Sequence, residues 1–147
     1  MVNESRIGIY NYLYDLFYDV VTKNVYSMNE PQELTDSDVK NGFIVIRVGD
    51  LLDESEFSGK AYGEVRCFVE GYVPPISRGR LNYNKYQAME NGINGVINNA
   101  TSSDTHGDYS IQEGSVLSYD ADETSNANNQ FFLFIKSFIV VIDKQVE

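Results

Sequence analysis

The chain has 147 residues, 42% of them hydrophobic and 13% aromatic, which is enough for a single domain to bury a core without metals or disulfides. Eleven Lys and Arg against 22 Asp and Glu leave a formal charge of −11, which argues against a nucleic-acid-binding surface, because phosphate contacts need a basic face. The single cysteine excludes an internal disulfide, and the longest apolar runs, FFLFI and FIVVI, are interrupted by Lys136-Ser137 and are too short to span a bilayer.

Asn3 or Ser5 is placed to cap a first helix, with Glu4 near its positive end. Ile9, Leu13, Leu16, Phe17 and Val20 follow at the spacing of one amphipathic face. Tyr10, Tyr14 and Tyr18 make a second ladder beside it, either flanking the core or meeting a neighbouring subunit. No basic stretch followed by an apolar run opens the chain, so a secretory leader is not expected and synthesis and use in a cytoplasm are. Val25-Tyr26 reads as a short extended piece ending at Asn29-Glu30-Pro31. Residues 29–42 read as a polar, acidic connector with Asn41-Gly42 as its turn.

Residues 42–50 predict a strand with Ile44, Ile46 and Val48 on one face, and residues 50–60 an acidic hairpin tip. Residues 61–73 predict its partner, with Val65, Cys67, Val69 and Val73 on one face and Glu64, Arg66, Glu70 and Tyr72 on the other. Pairing these strands brings Arg47 toward Glu64 or Glu70, a contact that tunes register more than it holds the sheet. Pro74-Pro75 removes two backbone donors and ends the second strand. A basic crossing with Arg78, Arg80 and Lys85 leads into a helix in which Tyr86, Met89, Ile93, Val96 and Ile97 recur at helical spacing. Strand then reappears near 109–111 and continues over 115–119 across a bulge at Gly114. After an acidic loop at 120–130 comes a last strand, 131–142, that is apolar on both faces. Such a strand is either central and covered twice, or has a second face that meets another chain.

Chemistry-bearing patterns are sparse. There is no phosphate loop, dinucleotide glycine pattern, Cys-x-x-Cys or nucleophile elbow, and the glycines of GINGVIN have the wrong spacing and context for a nucleotide. His106 with Asp104 or Asp108 is the one acid–base grouping, and it reads as loop residues without a second ligand type. Asp50, Asp53, Glu54 and Glu56 read as a solvated acidic tip rather than a catalytic carboxylate pair, and Cys67 as a buried structural thiol. No catalytic, cofactor-binding or metal-binding residue is expected. Charge is segregated: no Lys or Arg lies between Lys85 and Lys136, while Glu90, Asp104, Asp108, Glu113, Asp120, Asp122 and Glu123 all fall in that window. Such a chain can pair head to tail with copies of itself, and Arg78, Arg80, Lys85, Tyr10, Tyr14 and Tyr18 are the candidate subunit-interface residues.

The expected fold is a single α+β domain over residues 1–147, an antiparallel sheet built from two hairpins with two helices on one face. This order resembles the tail terminator (tail completion) and neck proteins of tailed bacteriophages. The likeness is carried by Arg6–Leu13 opening the first helix, then Val25-Tyr26 and a proline-containing connector. Gly42-Phe43-Ile44-Val45-Ile46 starting the hairpin, the Pro74-Pro75 stop before a covering helix, and the apolar final strand complete it. The resemblance implies a non-enzymatic virion subunit in a homo-oligomeric ring, commonly a hexamer, joining the tail tube to the head-side connector. DNA would only pass through its lumen, whose acidic walls repel phosphate. The alternative is an adaptor domain of a bacterial secretion or contractile-injection machine, and a third class is a hydrolase using His106.

Overall fold

In the computed structural model, which describes residues 6–20, 22–29, 31–57, 60–76, 80, 82–102, 109–112, 114–124 and 131–145, the stripe Ile9, Leu13 and Phe17 winds into α1 (Arg6–Phe17). The chain continues through β1 (Val25–Ser27), α2 (Asp36–Asn41), β2 (Phe43–Phe57) and β3 (Lys60–Val73). It then forms α3 (Tyr83–Ser102), β4 (Tyr109–Ile111), β5 (Leu117–Thr124) and β6 (Phe132–Gln145). The strands make one curled sheet in the order β1-β2-β3-β6-β4, with β5 also on β6. The protein is α+β, as the alternation of periods predicts.

Three details differ from the sequence reading. The sheet is mixed, not wholly antiparallel: β1 runs parallel to β2, with Val25 beside Ile44 and Ser27 beside Ile46. The connector 29–42 contains a third helix, α2, because Thr35 and Asp38 form a reciprocal capping box. The Thr35 side chain accepts from the Asp38 N–H at 3.1 Å and the Asp38 carboxylate accepts from the Thr35 N–H at 2.9 Å. Gly42 ends the helix at φ +82°, and a methyl group there would run into the Tyr72 carbonyl. Third, the acidic stretch 50–60 is not all loop. β2 runs out to Phe57 and β3 starts at Lys60, with β2 bulging between Val48 and Leu51 and between Leu51 and Asp53. Residues 120–124 likewise complete β5, and residues 125–130 lie outside those described.

The pleat sorts side chains onto two faces. Ile44, Ile46, Val48, Val65, Cys67, Val69, Val73, Phe134, Phe138, Val140 and Ile142 form one, and they share a core with Leu13 and Phe17 of α1 and Met89, Ile93 and Ile97 of α3. Both helices therefore lie on this face, as predicted. Gly71 makes the fit possible, since a Cβ there would stand 2.6 Å from the Phe134 ring and 2.9 Å from Met89 Sδ. On the opposite face a smaller cluster of Phe43, Val45, Tyr72 and Phe131 occupies one end, with the Phe43 and Tyr72 rings stacked at 4.4 Å.

Candidate assembly surfaces

One surface lies at the end of the sheet where β3 finishes and α3 starts. Its walls come from the turn after α1, from α2 and from the first turns of α3, and they enclose a cleft of about 400 Å³. Asp19, Thr22, Lys23, Ser37, Asn41 and Lys85 line it above Val73, Ala88 and Met89. Local bonds fix its shape. Asp19 turns the chain at φ +59°, Thr22 Oγ1 accepts from the Asn24 N–H at 3.1 Å, and Asn24 Nδ2 donates to Ser37 Oγ at 3.0 Å and to the Gly42 carbonyl at 3.2 Å. Asn82 caps α3 by accepting from the Lys85 N–H at 3.2 Å, and Lys85 Nζ donates to the Lys40 carbonyl at 2.8 Å.

Of the predicted interface residues, Lys85 stands in this cleft, and Arg80 is exposed on the approach to α3, its carbonyl accepting from the Ile76 N–H at 3.0 Å. Arg78 lies outside the described residues. The tyrosine ladder divides. Tyr14 and Tyr18 stack at 5.3 Å and are 36% and 43% exposed, and Val20, two residues past Tyr18, is exposed as well. Tyr10 instead is half-buried and accepts from the Val48 N–H at 3.1 Å, tying α1 to β2. Of the three predicted cations the structure thus brings Lys85 alone into the cleft, and of the three tyrosines Tyr10 is a structural tie.

The second surface is the face of the sheet away from α1 and α3. Past the Phe43 cluster, Phe68, Leu133, Ile135, Ile139 and Val141 are only half-buried, and Leu117 is exposed. A hollow of about 380 Å³ opens between Arg47, Phe68, Glu70 and Ile135. A charged pair lines it: Arg47 Nε lies 3.0 Å from Glu70 Oε1, so Glu70 is the partner found for Arg47; elsewhere on this face Arg66 Nη1 donates to the Ser115 carbonyl at 3.2 Å. Burial works against the Arg47 charge, but Glu70 outweighs it and the guanidinium pKa is raised.

Two polar groupings escape sequence reasoning. Tyr26 donates to the fully buried Asp38 carboxylate, with both oxygens 2.8 Å from its hydroxyl. Lys136 sits on the helix-covered face of β6, where its ammonium donates to Ser118 Oγ at 2.7 Å and lies 3.5 Å from Glu90 Oε2 of α3. A Ser–Lys pair can serve as nucleophile and base, but here the amine is ion-paired with Glu90 and acts as a donor that fastens α3 and β5 to β6. The available signal was a lone lysine at an inward position of an apolar strand, which calls for an acidic partner. Burial pushes the Cys67 thiol up to about 12, despite opposing contributions from Arg66 and the Gly49 backbone, so this thiol is inert.

His106, Asp104 and Asp108 lie outside the described residues. Asp50, Asp53, Glu54 and Glu56 fall on β2, where only the backbone is described. Among the described residues, no group of three His, Cys, Asp or Glu gathers to hold a metal, and no helix is long and apolar enough to cross a membrane. The chain matches no known protein-family model, and no curated protein matches it in sequence.

Proposed function

We propose that this chain is a structural subunit, not an enzyme, that assembles into a ring at the neck or tail of a tailed-phage virion, in the manner of a tail terminator. The observation that carries the reading is the second face of the sheet. An α+β domain covers its apolar faces with layers, and here α1 and α3 cover one face while Phe68, Leu133, Ile135 and Ile139 of the other stay half-buried, with an open hollow beside Phe68 and Ile135. A neighbouring copy is the covering layer this reading assigns. The element order supports the phage setting, and the charge of −11 suits a wall that DNA passes without adhering.

Light scattering and negative-stain imaging of the purified chain, alone and mixed with its cognate tail-tube protein, test the assembly. Rings or a discrete oligomer are expected, and Ile135→Asp on the open face should dissolve them while circular dichroism stays that of the folded chain. A strict monomer at high concentration, with no ring even beside the tube protein, would remove this reading.

A further inference from the structure

The long central hairpin gives the molecule two electrostatically distinct ends. At one end β3 finishes at Val73, β2 begins at Phe43, and the cleft opens between α1, α2 and α3. At the other, β2 finishes at Phe57 and β3 begins at Lys60. The 14 residues of β3, at ~3.3 Å each, set these ends ~45 Å apart.

Cations collect at the cleft end. Lys23 and Lys85 line the cleft against a single carboxylate, Asp19; Lys40 on α2 and Arg80 before α3 lie outside its lining, and α2 also carries Asp36 and the Tyr26-bound Asp38. Among the described residues none of these four cations is in an ion pair, whereas Arg47 and Lys136 elsewhere are paired with Glu70 and Glu90. The outer half of β2, residues 50–57, has the opposite composition: Asp50, Asp53, Glu54 and Glu56, no cation within the stretch, and the apolar Leu51, Leu52 and Phe57, with Lys60 of β3 and Lys144 of β6 as cations on the neighbouring strands. Acids mixed with leucines suit a cleft with cationic walls and an apolar floor of Val73 and Met89. Within one copy the two ends cannot satisfy each other, since ~45 Å exceeds several Debye lengths at physiological salt, about 8 Å each. Between copies they can.

We propose that the acidic outer half of β2 of one copy docks at Lys23 and Lys85 in the cleft of the next copy, head to tail. The proposal rests on the assembly reading above and adds to it the contact that sets direction. A heterologous contact of this kind closes into a ring if its rotation allows and grows into a filament if not.

The test uses two full-length charge-reversal variants, K23E/K85E and D53K/E54K/E56K, each checked for folding by circular dichroism and thermal midpoint. In a concentration series by light scattering, each variant alone should associate about tenfold or more weakly than wild type, because like charges then face each other. Mixing the two should restore association, since every cleft again meets an arm of opposite sign. Raising the salt concentration should weaken the wild type and the mixture alike. If a reversal fails to fold, the milder K23Q/K85Q should still weaken association and flatten its salt dependence. A wild-type chain that associates but is indifferent to both reversals, or a mixture that stays apart, overturns this contact and leaves the assembly reading standing. A wild-type chain that never associates overturns the assembly reading itself.

Discussion

At the scale of single residues, Asp38 is a fully buried carboxylate held by the Tyr26 hydroxyl and the Thr35 N–H. Burial, then the bond to Asp38 and its charge, push Tyr26 from 10 up to about 12. Burial, then Cys67, does the same to Tyr12. A pKa raised by folding means that the folded chain holds the proton more tightly than the unfolded one. The stability contributed by Tyr26 is therefore whole below pH 10 and is lost as pH climbs toward about 12. Tyr26→Phe takes from Asp38 its hydroxyl donor, and should cost about 1–3 kcal/mol at neutral pH while making the alkaline loss shallower. Urea unfolding of wild type and variant from neutral to strongly alkaline pH measures both, and equal midpoints throughout would show that Asp38 does not need the phenol. The sequence offered a partial signal here. Thr35 and Asp38 have capping-box spacing, but nothing local marks Tyr26 as the distant donor. Lys85 and Arg80 were legible as a cationic cluster because both flank one crossing. Lys23, which completes the cleft, comes from a different element and only the fold brings it in.

At the scale of elements, legibility followed burial on one face. α1, β2, β3, α3 and β6 each pack a continuous stripe, so their periods were visible in the residues. α2 has no such stripe; six mostly polar residues are held by a cap, not by packing. The parallel partner β1 is three residues long and depends on the return through α2, which no period announces. Gly114, at φ +78°, marked an irregularity that reads from sequence as a bulge within one strand; the structure instead ends β4 at Ile111 and starts β5 at Leu117, and the bonding that bridges the gap was not legible. There the Ser115 hydroxyl replaces a strand carbonyl, accepting from the Ile139 N–H at 3.0 Å and donating to the Gln112 carbonyl at 2.6 Å. Ser115→Ala leaves that amide without its acceptor and should cost about 1 kcal/mol. Hydrogen exchange should report it as faster exchange at Ile139, with amides of the β2–β3 ladder unaffected. Uniform exchange across β6 would mean that the hydroxyl carries no such role.

At the scale of the whole molecule, β6 is the member on which the other strands depend. It pairs with β3 along its full length, from Phe132 beside Val73 to Gln145 beside Lys60, and it carries both β4 and β5 on its other edge. It also brings Phe134, Phe138, Val140 and Ile142 to the main core. A chain truncated after residue 130 should therefore lose the entire fold instead of fraying at one edge. The expected result is no cooperative thermal transition and no dispersed amide spectrum; a cooperative transition in that fragment would show the rest to be autonomous. Biosynthesis inherits this dependence, because the ribosome delivers β6 after every strand it pairs with. Until then β1, β2 and β3 can pair only among themselves, and one side of β3 is a bare strand edge within reach of chains emerging from the same message. The acids of their β2 strands give such nascent chains like charge, and this repulsion opposes edge-to-edge pairing during that interval.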